Sequence, residues 1–142
     1  MRMIKVFIDA TGWYAIVQPE NEYHEVAKEY FQQLLDSRAK LYSNIIEITS
    51  AISKIKQNCG LSIATDFSKL IDQAVLSTNL NVSWLTRRQN RSALKQFFSI
   101  KDPNIEIRHC SIFEEVKKKK INFIFSFDHS LKSFGVPLMP QA

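Results

Sequence analysis

Apolar residues along this chain follow two alternating periodicities. Short consecutive apolar runs bounded by polar or turn-forming residues mark buried strands, and longer stretches with apolar residues three and four apart mark amphipathic helices. Residues 3–8 form the first run, with Ile4, Val6, Phe7 and Ile8 apolar, and Asp9 ends it. Ala10, Thr11 and Gly12 read as a turn, followed by a short helix over 13–17 that Pro19 breaks. Asn21 is placed to cap a helix reaching about residue 37, with Val26, Ala27, Tyr30, Phe31, Leu34 and Leu35 on its apolar face. Residues 41–43 are a short strand candidate. Asn44 then caps a helix carrying Ile45, Ile46, Ile48, Ile52 and Ile55, with Glu47 at the capping-box position and Gly60 at the end.

In the second half, residues 65–78 predict a helix through Phe67, Leu70, Ile71, Ala74 and Val75, and residues 81–85 a strand. Thr86 opens a helix reaching residue 98, with Ala93, Leu94, Phe97 and Phe98 inward, and Asp102-Pro103 turns the chain. Residues 105–108 read as a short extended piece before a helix over 110–120, whose lysines at 117–120 suit the negative end of its dipole. A third apolar strand over 122–127 is ended by Asp128, and residues 136–138 form a last short one. Strands alternating with helices imply an α/β fold with a mostly parallel sheet. The 142 residues contain no repeat and no dividing linker, which favours one domain.

Composition narrows this picture. Ten Phe against three Gly and four Pro exclude a disordered or low-complexity chain. Cys59 and Cys110 stand far apart, so neither a disulfide framework nor a C-x-x-C metal site is expected. The N-terminal apolar run is too short for a secretory signal, and no apolar stretch nears the roughly 20 residues that span a bilayer. A cytoplasmic protein without a membrane partner is the expectation. The net charge of +5 suits a polyanionic partner without requiring one.

The candidate chemistry begins with position. Asp9 and Asp128 each follow an apolar strand directly, and in open parallel sheets ligands sit at the carboxyl ends of strands. Two acids on one rim repel unless a cation stands between them, and hard oxygen ligands suit Mg2+ or Mn2+. The plainer alternative is that each Asp caps the helix or turn that follows it.

The segments VFIDATGWYAIV, NEYHEVAKEYF, SNIIEITSAI, WLTRRQNRSALKQFF and INFIFSFDHSLKSFGVPLMP, taken in order and spacing, resemble a PIN domain. In detail they are similar to the VapC-type toxin ribonucleases of bacterial toxin–antitoxin pairs. The resemblance runs from about Val6 to Pro140. It implies a three-layer α/β/α sandwich with a central, mostly parallel sheet, as a single PIN-like domain over 1–142. It also implies a metal-dependent endoribonuclease, the toxin of a type II pair. Asp9, Glu47 and Asp128 match the family's metal-binding acids, with Thr11 and Ser126 as the accompanying hydroxyls. The implied cofactor is Mg2+ or Mn2+, and the implied partners are RNA, a small antitoxin protein and a second copy in a homodimer.

The chain departs from the family at its third acid, where His109 stands. His109 is open to four readings: a ligand for a softer metal, a cation for the RNA phosphate, a mark of lost activity, or a surface histidine at a helix start. Glu106 is the neighbour that could curl in to replace the acid. The alternative function is therefore a weakened or inactive PIN-like module that binds RNA or protein. Arg87, Arg88 and Arg91 are candidates for tracking RNA phosphates, beside the reading of a solvated helix face. The aromatics at helical spacing read as core rather than base-stacking platforms, with Trp13 and Tyr14, near Asp9, as the exceptions to watch.

Overall fold

Successive residues of a strand face opposite sides of its sheet. In the computed structural model, which describes residues 3–141, strand β1 (Lys5–Ile8) sends Val6 and Ile8 into one apolar cluster and Phe7 into another. Strand β2 (Lys40–Asn44) divides in the same way, Leu41 to the first cluster and Tyr42 to the second. A strand buried on both faces needs helices on both sides, and the chain supplies them in two batches. Helices α1 (Ala10–Val17), α2 (His24–Asp36), α3 (Ile45–Cys59) and α4 (Leu61–Leu76) build the first cluster, with Trp13, Ala27, Ile55 and Phe67 at its centre. On the other face lies α6 (Ile107–Lys119), through Ile112 and Val116, with a 3-10 helix His129–Phe134 that contributes Leu131. Helix α5 (Arg87–Ser99) packs on α6 through Ala93 and Cys110. The three expected layers are present.

Strands β3 (Leu80–Ser83), β4 (Phe123–Phe125) and β5 (Leu138–Met139) complete a five-stranded sheet of order β3-β2-β1-β4-β5, every pairing parallel. From β1 the chain winds outward through β2 to β3, then returns past β1 to β4. Parallel crossovers are right-handed, so reversing the direction of travel moves the connecting helices to the opposite face. The chain leaving β1 and the chain leaving β4 therefore diverge to opposite sides, and a crevice opens between them at the carboxyl edge.

Local expectations fail where tertiary contacts decide. Residues 10–12 are not a turn: Asp9 caps α1 directly and Gly12 lies inside that helix. Asn21 does not cap α2; its side chain accepts from the Tyr23 amide instead. Helix α4 begins four residues before the expected start because Gly60, at φ 95°, ends α3 and starts α4 in one residue. Residues 105–108 are not extended, since α6 starts at Ile107. Phe98 is exposed rather than inward.

Gly12 shows how closely α1 sits on β4. A Cβ there would lie 2.7 Å from the Phe125 carbonyl oxygen, a backbone atom that cannot step aside. Gly12→Ala should gain helix propensity yet lose about 2 kcal/mol overall through this overpacking. Denaturant unfolding measures it; a variant as stable as the parent would mean that α1 and β4 are not in contact at this point.

Candidate active site

The crevice between β1 and β4 is lined from the residues that end each strand. Asp9, fully buried, follows β1 as the N-cap of α1; its Oδ1 accepts from the Gly12 amide at 2.9 Å and from the Thr11 hydroxyl at 2.7 Å. Its Oδ2 accepts from the Ser126 hydroxyl at 2.6 Å. Ser126 Oγ in turn accepts from the Asp128 amide at 2.9 Å, and Thr11 Oγ1 accepts from the Phe127 amide at 2.9 Å. The two hydroxyls thus stitch the end of β1 to the end of β4.

Glu47 stands in the first turn of α3. Asn44 accepts from the Glu47 amide, the forward half of a capping box. The return half is missing, because the Glu47 carboxylate turns inward to accept from the Ala10 amide at 3.0 Å. Its Oε1 also meets Arg108 Nη1 at 3.3 Å, while Oε2 is buried with no partner among the described residues. Asp128 caps the 3-10 helix through the Ser130 amide. Its Oδ2 receives Arg108 Nη2 at 2.6 Å and His109 Nε2 at 2.7 Å.

Arg108 is the residue that sequence reasoning missed. Its guanidinium bridges Glu47 and Asp128, with Nε on Glu106 at 2.6 Å. The signal was present but indirect: His109 stands where the resemblance implied an acid, and the neighbour at 108 is a cation. The Glu106 carboxylate, expected as a substitute acid, is largely exposed and engaged by Arg108 rather than curled into the cluster. His109 is 2% exposed, which removes both the surface-histidine and the phosphate-cation readings. Its Nδ1 faces the Glu106 amide at 2.8 Å and so must accept, which puts the ring hydrogen on Nε2 toward Asp128. As placed, the ring has no lone pair left to offer a metal.

Trp13 and Tyr14 belong to the core. Trp13 is buried edge-on to Phe31 and Phe67, with its indole N–H on Ser43, and Tyr14 packs in the same core. Arg87, Arg88 and Arg91 are exposed at the start of α5 and are not part of the acid cluster.

Three acids share one permanent cation, and their titration shows the imbalance. Burial pushes Glu47 up to about 7, and the charge of Asp9 pushes the same way. Asp9 is raised too, chiefly by burial, against the hydrogen bonds from Ser126, Thr11 and Gly12. Asp128 is held well below the ordinary carboxylate range, first by the hydrogen bond from His109, with Ser130 and Arg108 adding to it. The signs are opposite. Glu47 binds a proton more tightly when folded, so it costs stability as pH rises from 4.5 to about 7. Asp128 stabilises above its unfolded value of 3.8, and that contribution is lost as pH falls below it. In a chelating buffer the melting temperature should therefore fall between about pH 5 and about pH 8, and Glu47→Gln should remove most of the fall. Parallel pH profiles for parent and variant would count against the assignment.

An orphaned buried oxygen, surplus negative charge and hard donors are what a divalent cation requires. As placed, however, no three His, Cys, Asp or Glu side chains among the described residues are gathered closely enough to cage one. Asp128 is committed to Arg108 and His109. The donor types fit a metal; the third donor is engaged by internal partners.

No protein-family model matches the chain, and no curated protein matches it. Solved structures do. The chain is similar to Mycobacterium tuberculosis VapC20, described as a Sarcin-Ricin loop cleaving toxin, with a TM-score of 0.77 at 19% identity over 92% of this chain and 95% of that one. It is also similar to PAE2754 of Pyrobaculum aerophilum, with a TM-score of 0.58 at 13% identity over 95% of this chain and 89% of that one. The chain thus shares the PIN-like fold of VapC20. No helix among the described residues is long and apolar enough to cross a membrane.

Proposed function

We propose that the chain is an endoribonuclease that hydrolyses RNA phosphodiester bonds with a divalent metal, as the toxin of a type II toxin–antitoxin pair. The observation that carries this is the buried pair Asp9 and Glu47 with the half-buried Asp128 around the β1/β4 crevice, one carboxylate oxygen unpartnered, in a fold shared with a Sarcin-Ricin loop cleaving toxin. Asp9, Glu47 and Asp128 would hold Mg2+ or Mn2+, which lowers the pKa of water and neutralises charge at the phosphate. The chain's own residues do the positioning. Thr11 and Ser126 fix both oxygens of Asp9, so its orientation is set before any ligand arrives. His109 sets the rotation of Asp128, and Arg108 keeps a positive charge where a phosphate would approach. A small antitoxin protein covering the crevice, a homodimer and a cytoplasmic location belong to the same reading.

A second reading has its own observation. Arg108 and His109 both engage Asp128, and a site that supplies its own cation has less need of a metal. On that reading the chain binds RNA or protein without cutting. Incubating mixed RNA with the protein in Mg2+, in Mn2+ and in chelator separates the two. The nuclease reading expects cleavage in at least one metal and none in chelator; no cleavage in either metal would favour the binding module.

A further inference from the structure

Register places a second feature on the edge that carries the acids. Phe7 pairs with Tyr42, which sets Asp9 level with Asn44, and Asn44 pairs with Ser83. The ends of β1, β2 and β3 thus form a row about 10 Å long at ordinary strand spacing. Trp84 follows Ser83 and is 73% exposed, the most exposed aromatic ring after Phe98 among the described residues. The helix it leads into, α5, carries Arg87, Arg88, Arg91 and Lys95 and no acid, and all four cations are exposed. None is paired with a carboxylate among the described residues. Arg87, Arg91 and Lys95 recur every fourth residue, so they line one face about 6 Å apart along the axis. Cations in the first turn of a helix oppose its dipole, and an approaching anion relieves both.

This corner is held to the acid site by a buried group that no role above has used. Glu115 of α6 is 1% exposed and accepts from Ser83 Oγ at 2.7 Å and Gln89 Nε2 at 3.3 Å. Helix α6 carries Arg108 and His109 in its first turn, so one helix fixes both the acid cluster and the β3–α5 corner. A flat exposed indole beside a line of unpaired cations is the combination that binds unpaired nucleic acid: the ring stacks a base and the cations follow the phosphates.

We propose that Trp84 is a base-stacking platform for single-stranded RNA, with Arg87 and Arg91 on its phosphates, and that the strand passes from there to the crevice at Asp9. The substrate class is an unpaired strand or loop, because a base inside a duplex cannot stack on the ring. The route to the crevice rests on the nuclease reading; the stacking does not.

The test uses the full chain in chelator, so that binding is read without cleavage. A labelled single strand of about 12 nucleotides and its duplex are titrated by fluorescence anisotropy. Trp84→Ala should weaken single-strand binding about tenfold, and Trp84→Phe should keep most of it. Arg87→Gln and Arg91→Gln should each lower the slope of log affinity against log salt by about 0.7. Unchanged affinity in Trp84→Ala, or a duplex bound as tightly as the single strand, would overturn the proposal. So would a Trp84→Ala variant that dissociates in sedimentation with RNA affinity intact, since the face would then join two copies of the chain. Trp84-dependent binding without cleavage in metal sinks the nuclease reading and spares this one; cleavage without Trp84 dependence does the reverse.

Discussion

Asp9→Asn is expected to reduce RNA cleavage on the order of a thousandfold, equivalent to about 4 kcal/mol of transition-state stabilisation. The substitution is nearly isosteric. The amide oxygen can still accept from the Gly12 amide and the Thr11 hydroxyl, so the cap on α1 survives. Ser126 must turn to accept rather than donate at the other position, a rotation open to a hydroxyl. What is lost is one negative charge in a fully buried place. Because burial raises the Asp9 pKa, that charge is a cost to the folded protein without a cation, and the variant should melt no lower than the parent at neutral pH. Activity lost with stability kept is the signature of a functional acid. Cleavage at the parent rate would remove Asp9, and with it the crevice, from the reaction.

Arg108→Ala is expected to lose about 2 kcal/mol of stability near pH 8 in chelator. The guanidinium serves Glu47, which has no exposed surface, and Asp128, which has little. Burial works against the Arg108 charge, yet Glu47, Glu106 and Asp128 together push its pKa above the ordinary value, so the cation is secure. Removing it leaves the pair Asp9 and Glu47 without a nearby counter-charge, and the Glu47 pKa climbs beyond about 7. The penalty should shrink near pH 5, where Glu47 is protonated in both parent and variant. Mn2+ should restore more stability to the variant than to the parent, because Asp128 then keeps only His109 of its two internal partners and mass action rewards the tighter site. A variant as stable as the parent at both pH values would show that Arg108 is not the counter-ion of this cluster.

Much of the fold was legible from periodicity. Val6, Phe7 and Ile8 are apolar in succession because both faces of β1 are covered, and that run alone announces a central parallel strand. The errors fall where a local signal met a distant contact. Gly12 looks like a turn residue, but it is glycine because α1 lies against the Phe125 carbonyl. Glu47 looks like half of a capping box, but its carboxylate finds the Ala10 amide and the Arg108 guanidinium, 37 and 61 residues away in sequence. Trp13 and Tyr14, adjacent to the acid region in sequence, are drawn into the core by their area. Trp84, which reads as strand, stands in solvent one residue beyond the sheet.

What the sequence determined by itself is the order of elements, the two-sided burial of the sheet and the placing of Asp9 and Asp128 at strand ends, because periodicity and strand termini are local properties. Only the tertiary structure decided how the acids are balanced. Whether Glu47 faces Asn44 or the crevice, whether His109 offers a lone pair or a hydrogen, and whether Arg108 points to solvent or to two carboxylates depend on β1, α3 and α6 meeting at one edge. Charge interactions act through space, so residues distant in sequence set them.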